Sequence, residues 1–512
     1  MGARAKMRVK TGSYLFEGVD WSFQVLQDVF DACEEIALGE FGLNPYTNQI
    51  EIISSEQMLD AYSSVGMPLM YSHWSFGKSF ARNDMLYRKG LQGLAYEIVI
   101  NSNPCISYIM EENTISMQTL VIAHAAFGHN HFFRNNHLFK QWTDADTVLD
   151  FFQYAKHSVA GCEEKYGFEA VEEVLDAAHA LQTHAVDRYP RKNISKRELK
   201  ARAKERADYE EATFNDLWRT LPGEALKAGF DREASRKIYE KLSLPESNVL
   251  YFLEHHAPKL QPWQRELLGI VCRSAQYFYP QKQTKVMNEG CACYVHYHTM
   301  QRLHEKGLIP DSAMLEMLHS HSSVIAQPDF DTPYYNGINP YALGFGMMQD
   351  IHRMCMEPTI EDREWFPDFA GNGDPLGTLR DAWVNFRDES FILQFLSPHL
   401  IRDMRLFRLD DDMKNPMMRI GAIHDEGGYR DVRRALAAQH AVTNMDLDIQ
   451  VTHVDLDESR TLILTHFQKD NIPLDDAEAK ATLSHVARLW GYDVVLKSID
   501  PVSGKVEQKF EL

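Results

Sequence analysis

The sequence predicts a mainly α-helical fold with a small β-sheet in its N-terminal, catalytic-like domain, followed by a C-terminal α+β domain in the ferredoxin-like order βαββαβ. Three observations carry this reading. Apolar residues recur at helical spacing along most of the chain, as in Phe23, Val25, Leu26, Val29, Phe30, Ala32 and Ile36, with acidic residues opposite. Strand-like runs before residue 413 are few and short. From there on the pattern changes to V-x-V-x alternation interleaved with helical stretches, which suits half-buried antiparallel strands.

The elements follow in order. Residues 1–19 are basic at their start and are expected to be flexible. A helical domain opens at residue 20 and runs to 187. Within it, Ile50 to Ile53 is a short apolar run, and a serine of Ser54-Ser55 can cap a helix starting near Gln57. Met67 to Trp74 is aromatic and turn-rich. Tyr96 to Ile100, closed by N-S-N-P, and Ile106 to Met110 read as buried strands. Glu111-Glu112-Asn113-Thr114 then opens a helix: carboxylates suit the positive end of its dipole, and Asn113 or Thr114 can cap it. Glu112 is also a second-tier ligand candidate.

Residues 188–248 break the composition. They begin R-Y-P-R-K-N-I-S-K-R and become acidic, with little apolar face, as a charged linker or insertion does. The helical domain resumes over 249–412, with Pro258, Pro262 and Pro280 marking breaks between successive helices. Met314 to Ser323 carries His321. Asn339-Pro340 enters a helix bearing Asp350, and His321 and Asp350 are second-tier site candidates. In the C-terminal domain, 413–512, strands are expected at 417–423, 447–455, 461–467 and 492–499, helices at 427–440 and 475–490, and an edge strand at 506–510.

Chemistry concentrates in two apolar stretches, M-N-E-G-C-A-C-Y-V-H-Y-H from Met287 and I-A-H-A-A-F-G-H-N-H from Ile122. On a helix, Glu289 and His296 return to one face, about 10.5 Å apart along the axis, with Cys293 between them. Gly290 and Ala292 permit close approach of another backbone. His124 and His129 are five residues apart, roughly 140° out of phase on an unbroken α-helix. A helix ending at Gly128 would let His129 turn back toward His124. Neutral imidazoles with a carboxylate and one open position form the donor set of zinc and iron hydrolases. His124, His129 and Glu289 are therefore the candidate ligands of zinc or iron, with Glu289 and His296 as candidate catalytic groups. The spacing is not H-E-x-x-H. A buried hydrogen-bond network built from the same residues is the alternative. Cys291-x-Cys293 points its thiols to different sides of a helix, as packing residues do.

The motifs H-A-x-x-G-H-N and N-E-G-x-A-x-x-x-H resemble the signature of the SpoVR-like (stage V sporulation protein R) family. The likeness extends to Gln57–Pro68, His73–Lys78, Gly93–Cys105, Gln276–Thr284 and Gly337–Phe345. One departure is Cys291, where that family usually has tryptophan after N-E-G. His131, His255, His256 and His298 fall outside the motif positions and are not expected in the site. The resemblance implies a cytoplasmic protein of spore cortex formation, envelope maturation or stress response, with a serine protein kinase as partner. Whether it implies a reaction is open, and a scaffold or adaptor is the competing expectation.

Composition sets outer bounds. A net charge of -20 over 512 residues excludes a nonspecific nucleic-acid binder, which needs clustered Lys and Arg. Seven cysteines without a zinc-like pair of pairs suit a reducing compartment. No apolar run approaches the length of a membrane span, and the first residues lack the apolar core of a signal peptide.

Overall fold

In the computed structural model the described residues are 14–63, 96–188, 244–329, 337–410, 419–421, 424–455, 459–469 and 472–512, with Met70, Tyr71, His73, Trp74, Lys78, Arg82, Met85, Leu242, Thr332 and Tyr335. Nearly all of the expected charged linker, and most of the aromatic stretch after Met67, lie outside them. The chain forms two compact units: Met1–Gly161 with Phe278–Met445, and Cys162–Tyr277 with Asp446–Leu512. The break therefore falls after Met445 rather than at 413.

The first unit is helical around a three-stranded sheet. Strands β1 (Asn48–Ile53), β2 (Glu97–Ile100) and β3 (Cys105–Met110) are ordered β1-β3-β2, with β1 parallel and β2 antiparallel to β3. Helix α1 (Phe23–Glu34) starts because the Ser22 hydroxyl accepts from Val25 N, and it buries Leu26, Val29, Ala32 and Cys33. Helix α2 (Ser55–Ser63) follows β1. Helix α3 (Ile115–Ile122) is capped by the Thr114 hydroxyl, which accepts from Met117 N, and all eight of its residues are buried. Its buried polar side chains find backbone partners, Gln118 donating to Met110 O and Thr119 to Ile115 O.

Four further helices complete the surroundings of the site: α4 (Lys285–Glu305), α5 (Asp311–Val324), α6 (Pro340–Met356) and α7 (Asp388–Phe395). The buried Asp388 carboxylate accepts from Val286 N and Met287 N at 2.8 and 2.9 Å, satisfying donors that the first turn of α4 leaves open. Helix α4 is the core of the unit. It crosses α6 so closely that a Cβ on Gly290 or Gly344 would run into the other helix's backbone, which explains glycine at both positions. The expected close approach at Gly290 is found.

The C-terminal topology departs from the ferredoxin-like expectation. Of the strand expected over 417–423, the described Arg419–Ile420 pairs with Leu409–Asp410 in a separate two-stranded sheet. The following helix, α8 (Glu426–His440), packs against α7 in the first unit. Its amphipathic pattern is real, but its apolar face has a different partner. In the second unit, β4 (Asp448–Val454), β5 (Leu462–Phe467), β6 (Val494–Ile499) and β7 (Val506–Glu511) form one sheet in sequence order. Helix α9 (Asp476–Trp490) links the parallel pair β5–β6, capped by Asp475 and ended by Gly491 in the left-handed conformation. The observed order is ββαββ. The two chain segments of this unit are tied by the Glu246–Val451 bridge and the Arg488–Glu173 ion pair. No helix among the described residues is long and apolar enough to cross a membrane.

Candidate metal centre

The two histidine-bearing stretches meet inside the first unit. Gly128 does not end a helix: Ala123–His129 is a π-helical segment that continues directly into a helix over Asn130–Asn135. A π turn closes i→i+5 hydrogen bonds, so residues five apart share a face, and such segments are frequent at functional sites. The predicted 140° offset thus vanishes. His124 and His129 stand edge to face, ring centroids 4.6 Å apart. Glycine at 128 serves close approach, since a Cβ there would lie 2.6 Å from Ala292 Cα on α4.

The π segment pairs with α4 so that His129 faces Asn288 and Glu289, and His124 faces His296. The long separation of Glu289 and His296 is thereby spanned by two imidazoles. Asn288 Oδ1 lies 3.0 Å from His129 Nδ1. With Nδ1 donating to that carbonyl, the Nε2 lone pair is left facing Glu289, whose Oε2 is 3.6 Å away. His124 Nε2 lies 3.6 Å from Oε1 of Glu97, the first residue of β2. On the other side of that ring, His124 Nδ1 is 2.8 Å from His296 Nδ1, and His296 Nε2 is 2.8 Å from His321 Nδ1. One proton per neutral imidazole satisfies both contacts, with every donation running the same way along the chain.

The electrostatics are those of a buried pocket in which charge is costly. Burial, and then the Glu289 charge, push the Glu97 carboxyl up to about 8. Burial first, and the neighbouring imidazoles second, hold His124 and His296 well below the usual histidine value. Burial lowers His321 to about 4. Tyr341 hydrogen-bonds to Glu289, and its hydroxyl is raised by burial, then by the two carboxylates. Glu289 Oε2 is buried without a hydrogen-bond partner. Donor atoms of Glu97, His124 and His129 lie within 4.8 Å of one another, as do those of His124, Cys293 and His296. Two ligand atoms about 2.1 Å from a tetrahedral ion are about 3.4 Å apart. Both 3.6 Å histidine–carboxylate pairs match that edge and are too long for hydrogen bonds.

Of the sequence candidates, the structure brings together His124, His129, Glu289, His296 and His321. Glu112 is elsewhere: it is exposed and accepts from Ser55 N at the start of α2. Asp350 is engaged by Arg353 and Ser397, within an ionic network that also includes Asp362. His131 accepts from Asn44 N, and His298 pairs with Gln349. Sequence reasoning missed Glu97, Asn288 and Tyr341 as site residues and assigned Cys293 to packing. A carboxylate opening the otherwise apolar strand E-I-V-I was the available signal for Glu97.

The comparisons with known proteins agree on one family. A family profile described as SpoVR like protein matches residues 20–445, and one described as SpoVR-like C-terminal domain matches residues 447–501. A protein of Escherichia coli (strain K12) named "Uncharacterized protein YcgB" is 51% identical over 492 residues, covering 95% of this chain and 94% of its own length. No solved structure matches.

Proposed function

The chain belongs to the SpoVR-like family, and from that premise and the site's geometry we propose that it is a metal-dependent hydrolase. The observation that carries the reading is the meeting of Glu97, His124 and His129 with donor atoms within 4.8 Å of one another, the His124–Glu97 contact at 3.6 Å being spaced as two ligands of one ion rather than as a hydrogen bond. Glu97, His124 and His129 are the donors, a two-histidine, one-carboxylate set suited to zinc or iron. Such an ion supplies a Lewis acid that lowers the pKa of water.

The chain's own groups do the rest. Glu289, with Oε2 unpartnered beside His129, takes the proton from water, and Tyr341 holds that carboxylate in place. His296 holds the His124 ring through its Nδ1, so that His124 Nε2 faces Glu97, with His321 orienting His296 in turn. Elemental analysis of full-length protein purified without chelator is expected to find about one zinc or iron per chain, reduced in Glu97→Gln and Glu289→Gln. Metal-free protein of full stability overturns the proposal.

The closed His124–His296–His321 chain also supports a second reading, a non-enzymatic scaffold in which these imidazoles are a structural network. It predicts that His124→Ala lowers the melting temperature of protein already free of metal. The family resemblance supports a cytoplasmic role in spore cortex formation, envelope maturation or stress response, in association with a serine protein kinase. A pull-down with that kinase tests the association.

A further inference from the structure

The second unit contains a cavity of about 130 Å³ that the metal centre does not involve. Its walls are Ile449, Leu464 and Leu496 on the sheet and Leu483 and Val486 on α9, all buried. It reaches the surface at Asp475 and Glu478, in the cap and first turn of that helix, both exposed. Among the described residues, its lining has these two carboxylates and the His184 imidazole but no lysine or arginine. The cavity is thus apolar at the bottom and negative at the rim. A cavity of about 150 Å³ with such walls stays dry and takes up a six-carbon ring.

We propose that this cavity is a binding site for a small amphiphilic amine, with an apolar body of about six carbons inside and the ammonium group at the rim beside Glu478, since Asp475 is engaged as the cap of α9. Closely packed interiors hold few voids larger than a water molecule. The rim carboxylates also select against an anionic head. Each methylene withdrawn from the chain is expected to weaken binding about four-fold, so propylammonium binds roughly sixty-fold more weakly than hexylammonium.

The test is a titration of the full-length protein with hexylammonium, propylammonium and hexanoate, followed by ligand-observed NMR. Hexylammonium is expected to bind with a dissociation constant on the order of 1 mM. Hexanoate is expected to bind at least ten-fold more weakly, and Glu478→Gln to narrow that gap. Ala479→Leu, which fills the cavity, is expected to abolish binding; should it fail to fold, Thr482→Leu serves the same purpose. Equal binding of hexylammonium and hexanoate overturns the proposal, as does undiminished binding to a folded cavity-filling variant. None of these outcomes depends on metal content.

Discussion

Replacing Gly128 with alanine tests the site through its architecture rather than through a ligand. The new methyl would lie 2.6 Å from Ala292 Cα and 3.0 Å from Ala292 Cβ. Carbon atoms prefer about 3.5–4.0 Å, so the π segment and α4 must part by about 1 Å. Both contacts are with backbone or a side chain that cannot swing away, so the strain falls on the helix pair. Overpacking of this kind costs about 1–3 kcal/mol, partly offset by the roughly 1 kcal/mol that alanine gains over glycine in a helix. The expected net loss is about 1 kcal/mol and at most about 2. The same displacement would stretch the His129–Glu289 contact, now 3.6 Å, by a distance that commonly lowers the performance of a site on the order of 100-fold. Thermal denaturation and elemental analysis of one preparation read both effects. A Gly128→Ala protein that melts at the wild-type temperature with full metal content refutes the argument, because it would mean the two backbones can separate freely.

Other expectations follow from the same structure. Gly161→Ala, at an exposed helical position with nothing within 4 Å of the added carbon, should stabilise the protein by about 0.5–1 kcal/mol in chemical denaturation. His296→Ala should weaken metal binding about 10–100-fold in chelator competition while leaving the direct donors in place. Burial, opposed by donation from Val286 N and Met287 N and reinforced by Glu289, pushes the Asp388 carboxyl from 3.8 to about 7. A carboxyl raised on folding contributes stability below its unfolded pKa and loses it as pH climbs through the folded one. The protein should therefore lose on the order of 4 kcal/mol between pH 4 and pH 7 from this group. In Asp388→Asn, which keeps an acceptor for one of the two amides and removes the titrating group, urea denaturation across that range should show a flatter profile.

Much of the site was legible because its residues are out of place. Imidazoles and a carboxylate in apolar helical runs marked Ile122–His131 and Met287–His298, and Gly290 announced the close crossing with α6. The route by which the histidines align was not legible. A π segment adds one residue to a helical turn, and A-H-A-A-F-G-H contains no local signal to separate that from a helix ending at its glycine. Glu97 escaped because it reaches the site through sheet pairing distant in sequence. The C-terminal error has a related cause: periodicity finds the helix over Glu426–His440 but cannot say which surface it covers.

The second unit is built from Cys162–Tyr277 and Asp446–Leu512, with more than 150 residues of the other unit between them in the chain. A stop codon near position 446 would therefore not remove a module cleanly. It would strip the sheet from the helices that remain behind and leave the apolar side chains of Val249–His256 facing water. A truncated protein of this kind invites aggregation and proteolysis, so a lost phenotype in such a strain would report misfolding before it reported the role of the missing strands.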